Sequence, residues 1–131
     1  MSDITEDLWS LPDDPVIIET PKEILSAQAG LLERRTNGIL IGVVESKKNL
    51  LNNNIRLDFK VYAPSVEQGY TIELLRVEYP VTIYPATIKS TALESESTCQ
   101  TPQEFKQEVR RILSDATTHK VINALLNLSR S

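Results

Sequence analysis

Residues 20–35 read T-P-K-E-I-L-S-A-Q-A-G-L-L-E-R-R, and residues 101–104 repeat the opening of this stretch as T-P-Q-E. A threonine that caps the first free amides, a proline at the first helical position and a glutamate at the third are typical of a helix start. The repeated signal predicts that one helix begins at Thr20 and another at Thr101. Strand patterns are expected between these two helical segments.

The ends of the helical segments are also marked. Asn37-Gly38 supplies a left-handed stop for the first helix. In the C-terminal segment the apolar stripe breaks near Ser114 and resumes on a rotated face. We predict two helices, 102–114 and about 116–128, with Ser114 or Asp115 capping the second. A single kinked helix is the alternative.

Strand patterns fill the middle of the chain. Residues 39–48 open with an apolar run that predicts a strand buried on both faces in its first half. Residues 55–63 alternate apolar and polar side chains, which predicts one packed face and one solvated face. Within 70–89, the apolar residues change parity after Leu74, which suggests a β-bulge or a strand that crosses between environments. This stretch is either one long bent strand or two strands, the second an edge strand because it contains Pro85.

The order of elements predicts an α+β domain over residues 20–131, with an antiparallel meander of three to four strands between the helices. The N-terminal helix and two C-terminal helices are expected to pack on one face of this sheet. Residues 90–101 are polar and predicted to form a loop. Residues 1–19 form an acidic N-terminal arm, in which Val16 to Ile18 is a candidate short edge strand.

Charge and composition exclude several classes of function. The 131-residue chain has a formal net charge of −4, and seven acids against one base lie between Met1 and Glu23. Acidic chains repel phosphate backbones, so no nucleic-acid partner is expected. The chain has no apolar run long enough for a membrane helix and no signal-peptide pattern, so we expect a cytoplasmic protein without a membrane partner.

The candidate chemical residues are few. Cys99 precedes a helix cap, where a thiolate could be stabilised, but the single histidine, His119, lies twenty residues away across a helix. One Cys and one His exclude the usual structural zinc site. Glu94 and Glu96 are expected in a solvated loop. We therefore predict no catalytic residue, no cofactor site and no metal site, and a protein that is not an enzyme.

Two surfaces are candidates for binding a partner. Leu8, Trp9 and Leu11 lie in the acidic arm and could dock on another protein, since Trp is enriched at interface hot spots. The favoured interpretation is that the arm folds back and Trp9 covers an edge of the protein's own core. Arg56, Lys60 and Tyr62 share the outer face of one predicted strand. Such a set can bind single-stranded nucleic acid, but Asp58 interrupts it.

Two resemblances add to this description. The stretch at 20–38, together with I-Y-P-A-T-I (83–88) and V-I-N-A-L-L (121–126), resembles a group of small bacterial proteins without an established activity. This resemblance covers nearly the whole chain and implies a bacterial cytoplasmic location. The order of elements, with Tyr79-Pro80 near the last strands, is similar in outline to the ubiquitin-conjugating and RWD-type fold. No His-Pro-Asn segment precedes Cys99, so this second resemblance implies a non-catalytic domain.

The expected function is that of a non-enzymatic protein–protein interaction module, an accessory or immunity-type factor that binds and restrains a partner. The partner is predicted to be another protein or a second copy of the chain. A small-molecule-binding or enzymatic domain with a site between the sheet and the C-terminal helices is one alternative. A domain that forms a homodimer through a sheet edge or the terminal helix is another.

Overall fold

A computed structural model describes residues 6–131, and the first five residues of the predicted arm lie outside this range. Three helices and five strands follow the arm. Their bounds are α1 Pro21–Arg35, β1 Ile41–Lys48, β2 Ile55–Ala63, β3 Tyr70–Tyr79, β4 Ala86–Ser90, β5 Ser95–Cys99, α2 Pro102–Leu113 and α3 Ala116–Ser129. The predicted α+β class is confirmed.

Both T-P-x-E signals begin helices, as predicted, but they are completed differently. At α1 the Thr20 hydroxyl accepts from the Glu23 amide and the Glu23 carboxylate accepts from the Thr20 amide, so the capping box is complete. At α2 the Thr101 hydroxyl accepts from the Glu104 amide, whereas the Glu104 carboxylate accepts from the amide of Gln100. The second glutamate therefore ties the helix to the end of β5.

The C-terminal segment is two helices, and Asp115 caps the second by accepting from the Thr117 amide. The predicted pair of helices is confirmed, and the alternative of a single kinked helix is wrong. The buried Thr118 hydroxyl donates to the Ile112 carbonyl at 2.6 Å across the junction. This bond satisfies a carbonyl at the end of α2 and ties the first turn of α3 to it.

The five strands form one antiparallel sheet in the order β1-β2-β3-β4-β5. The prediction of three to four strands missed β5, because residues 90–101 were expected to form a loop. The inward-facing serines of β5 bond to α2: Ser97 donates to Glu108 and Ser95 accepts from Arg111. A strand that packs through hydroxyls lacks the apolar alternation that marks a strand in a sequence.

The parity change within 70–89 is a β-bulge. Phe59 pairs with Leu75 while Lys60 pairs with Glu73, so Leu74 is the extra residue in β3. The stretch contains two strands separated by a turn at 80–85. Pro85 precedes β4, and β4 lies between β3 and β5, so the prediction of a proline-containing edge strand is wrong.

Two further expectations need correction. The strand predicted at 39–48 begins at Ile41, and it is an edge strand whose first half is only half-buried. Residues 16–18 form no strand: Val16 and Ile17 extend into solvent with their side chains almost fully exposed.

The helices pack on one face of the sheet, which we call the inner face, as predicted. The core consists of the odd-numbered residues of β2, their partners on β3 and β4, and the apolar stripes of the helices. Its largest fully buried apolar side chains are Phe59, Phe105, Leu25, Leu40, Leu57, Leu75, Ile88 and Ile112. Among residues 6–131, no helix is both long enough and apolar enough to cross a bilayer.

Helix α1 lies against β1 at very short range. A Cβ atom placed on Gly42 would lie 2.5 Å from the Cα atom of Ala29 and 2.7 Å from its Cβ atom. Glycine is therefore required at this point because the helix backbone occupies the space of a side chain. The contact holds α1 over the β1 side of the sheet, whereas α2 packs over β4 and β5.

We predict that Gly42→Ala destabilises the protein by about 1–3 kcal/mol, because α1 must move off the sheet to admit the methyl group. Gly30→Ala is the matched control: no heavy atom lies within 4 Å of its added Cβ, and alanine favours the helix by up to about 1 kcal/mol. Urea unfolding of the three proteins measures both effects. Equal stability of Gly42→Ala and the parent protein would contradict the close contact.

Candidate functional site

A groove of about 1040 Å³ lies between α1 and the C-terminal helices. We call it the interhelix groove. Phe59 and Leu74 of the sheet lie at its bottom. Its walls are Ile24, Leu31 and Leu32 from α1, Val109 and Leu113 from α2, and Ile122 and Leu126 from α3. The groove is open to solvent and apolar at its base.

The groove exists because of the placement of the helices. Gly42 and Ala29 hold α1 over β1, whereas α2 lies over β4 and β5 at the other end of the same face. The two helices therefore contact each other at only a few residues. Leu31 is 39% exposed, and Leu113 and Leu126 are half-buried. Apolar side chains on facing helices are thus left partly open to water.

The rim of the groove carries more positive than negative charge. Three cations, Arg35, Lys106 and Arg110, lie along it with two acids, Glu19 and Glu23. Lys106 pairs with Glu19 at 2.7 Å. No ion pair involves Arg35 or Arg110 within residues 6–131. The apolar base and the basic rim together favour an apolar segment that carries acidic residues.

The arm begins at one end of this groove. The Tyr84 hydroxyl donates to the Glu19 carbonyl at 2.8 Å, and Lys106 holds the Glu19 carboxylate. Burial, followed by the nearby charge of Glu19, raises the pKa of Tyr84 to about 12, so the phenol stays protonated and remains a donor. The chain is therefore anchored where the arm leaves α1.

Beyond this anchor the arm lies in solvent. Trp9 is 79% exposed, and Leu8 and Leu11 are similarly open. The prediction that the arm folds back and Trp9 covers the core is wrong for the described residues. Two bends and a positive φ at Ser10 direct the arm, and its polar groups bond locally, as where the Trp9 amide donates to Asp7.

The predicted outer-face residues lie on the opposite side of the sheet from the groove. Arg56 donates to Asp58 at 3.0 and 3.2 Å, and Lys60 donates to Glu45 at 3.0 Å. Tyr62 is half-buried beside them. The structure thus separates the six predicted partner residues into two places. Both basic members of the outer-face set are already bonded to acids of the same sheet.

Asp58 is the centre of this charged face and was missed as an organising residue. It is 1% exposed, and Arg56, Arg76 and Lys47 surround its carboxylate at 3.0, 3.2 and 3.6 Å. Burial acts to raise the pKa of Asp58, but the hydrogen bond from Arg56 and the charges of the three cations outweigh it, so the pKa is lowered. The charged face links strands β1, β2 and β3 to one another.

The other residues considered for chemistry, Cys99, Glu94 and Glu96, lie outside the interhelix groove. Cys99 is buried at the end of β5, and burial together with Glu108 and Glu104 raises the pKa of its thiol. The thiolate is therefore disfavoured, contrary to what a nucleophile at a helix start would need. Glu96 is a strand residue that pairs with Lys89 at 3.7 Å and not a loop residue, whereas Glu94 lies in the turn before β5.

Comparison with protein-family models, with curated proteins and with solved structures gives no match for this chain. The resemblances drawn from the sequence therefore stay predictions.

We predict that Asp58→Asn lowers the free energy of unfolding at neutral pH by roughly 1–3 kcal/mol, because three cations then lose their shared anion. The cations keep contact with water, which limits the loss. Glu96→Gln is the control, since its pair with Lys89 is exposed and worth at most about 1 kcal/mol. Urea unfolding measures both. A larger effect at Glu96 would contradict the central role of Asp58.

Comparison of the parent protein with Asp58→Asn also predicts a pH dependence of stability. The pKa of Asp58 is lower in the folded state than in the unfolded state, where it is about 3.9. Its stabilisation is therefore complete above the unfolded pKa and is lost as the pH falls through the folded pKa. The difference in unfolding free energy between the parent and Asp58→Asn should shrink on acidification below about pH 4. A difference that stays constant over this range would contradict the assignment.

Proposed function

We propose that the protein is a non-enzymatic protein–protein interaction module, and that the N-terminal arm and the interhelix groove are its binding elements. The observation that carries this proposal is the exposure of the arm's large apolar side chains: Leu8, Trp9, Leu11, Val16 and Ile17. Burying one such side chain is worth about 1.5–3 kcal/mol. A set of exposed apolar side chains of this size is typical of a surface that binds a partner.

The form of the groove supports a polypeptide ligand over a small molecule. Sites for small molecules enclose most of the ligand and place several polar groups around it. Here the bottom is formed by Phe59 and Leu74, the polar groups lie at the rim, and one side is open. An apolar bottom with charges along the edges matches a groove that binds a peptide segment.

The outer face contributes less to the proposed binding than the sequence suggested. Arg56 and Lys60 already have acidic partners in the sheet, and a binding partner would have to compete for them. A role as an accessory or immunity-type factor in the bacterial cytoplasm is the biological form we propose. It rests on the acidic arm, the small domain and the open groove.

We predict that the full chain captures a partner protein from an extract of its native source, and that Leu8→Ala/Trp9→Ala/Leu11→Ala abolishes the capture. Leu50→Ala/Leu51→Ala is the matched control, because these residues are equally apolar and exposed but lie in the β1–β2 turn. Quantitative mass spectrometry of the captured proteins, including the chain itself, is the measurement. Capture of nothing by the parent chain, or equal loss with both variants, would contradict the proposal.

A further inference from the structure

The N-terminal arm has the length needed to occupy the interhelix groove. The groove runs along α1, from Glu23 to Arg35. The stretch of α1 from Glu23 to Arg35 is roughly 19 Å long. Residues 6–12 of the arm, which contain Leu8, Trp9 and Leu11, span roughly 23 Å when extended. An extended arm segment that contains Leu8, Trp9 and Leu11 is therefore long enough to lie along the groove.

Charge matches as well as length. Described residues of the arm before Glu19 carry four acids, Glu6, Asp7, Asp13 and Asp14, and no base. The groove rim offers Arg35 and Arg110, which have no ion pair within the described part of the chain. An arm lying in the groove would place its apolar side chains over the apolar base and its acids against these cations.

The chain's own arm is badly placed to enter its own groove. Glu19 is held at the end of the groove by Tyr84 and Lys106, and Val16 and Ile17 project from that point into solvent. If the chain reverses at the bend of Asp13-Asp14, the outward stretch uses about as much length as the return. Trp9 would then reach only the mouth of the groove and leave the Leu31 end uncovered.

We propose that two copies of the chain exchange arms, so that the Leu8–Leu11 segment of each copy binds in the interhelix groove of the other. This proposal rests on the function proposed above and names its partner. One binding mode then covers both the apolar arm and the apolar groove, whereas a different protein would have to supply both a groove and a segment. Reciprocal exchange closes as a two-fold dimer.

The test is the molar mass from sedimentation equilibrium over a wide range of concentrations. The parent chain is expected to be a dimer in equilibrium with monomer. Leu31→Glu, at a residue 39% exposed on the groove wall, should weaken the dimer at least about tenfold by excluding the arm and repelling its acids. Leu128→Glu is the control, since Leu128 is 52% exposed on α3 outside the groove, and it should change the dimerisation constant less than twofold.

A mixing experiment isolates the exchange. The variant Leu8→Ala/Trp9→Ala/Leu11→Ala keeps an intact groove, and Leu31→Glu keeps an intact arm, so each should be mainly monomeric alone. Mixed together, they should form a one-to-one dimer with a single exchanged arm. Equal unfolding midpoints of the variants and the parent, measured at dilutions at which the parent is monomeric, exclude a loss of fold, because all four positions are exposed.

Other outcomes overturn the proposal in distinguishable ways. A parent chain that is monomeric throughout, with Trp9 fluorescence that reports burial, would mean that the arm closes on its own groove. A monomer with exposed Trp9 that still captures another protein through the arm would refute the exchange and leave the proposed function standing. A monomer that captures nothing would refute both, and a dimer unaffected by either variant would refute the exchange.

Discussion

The close contact between α1 and β1 at Gly42 is the constraint on which the rest of the structure depends. The missing side chain lets the helix backbone at Ala29 lie directly on the edge of the sheet. The capping box at Thr20 and the bonds to Glu19 then fix where α1 begins. Because α1 is held over β1 and α2 over β4 and β5 on the same face of the sheet, an apolar groove stays open between the two helices.

The two faces of the sheet are covered by different interactions. The inner face is covered by apolar packing under three helices, with the groove as its gap. The outer face is covered by long side chains that surround Asp58, so that a carboxylate is buried by the very cations that neutralise it. Such side chains shield the sheet with their aliphatic stems while their charges stay near water. The groove and the arm keep apolar side chains open to water, and they are the surfaces to which we assign the proposed binding.

Local signals in the sequence predicted much of this fold. The T-P-x-E caps, the alternation of β2 and the parity change at Leu74 each depend on neighbours within a few residues, and each was found where expected. Strand β5 was missed because its serines pack through hydrogen bonds to α2, a partner that a strand pattern does not contain.

The candidate site was less predictable than the fold, because it is made by distances between elements. The two rotated apolar stripes after Phe105 were visible, but nothing local showed that Leu113 and Ile122 would face Leu31 across a gap. The position of the arm likewise depends on tertiary contacts. Its apolar residues were recognised in the sequence, but they were expected to fold back on the core, whereas the structure shows them exposed.

The central claim, that the arm is the ligand of the interhelix groove, is tested most directly by placing a photoreactive amino acid at position 9 in a mixture of isotopically heavy and light copies. We expect cross-links that join heavy to light chains, from position 9 of one copy to the groove walls on α1, α2 and α3 of the other. Cross-links confined to a single copy, or directed to the outer face around Asp58, would contradict it.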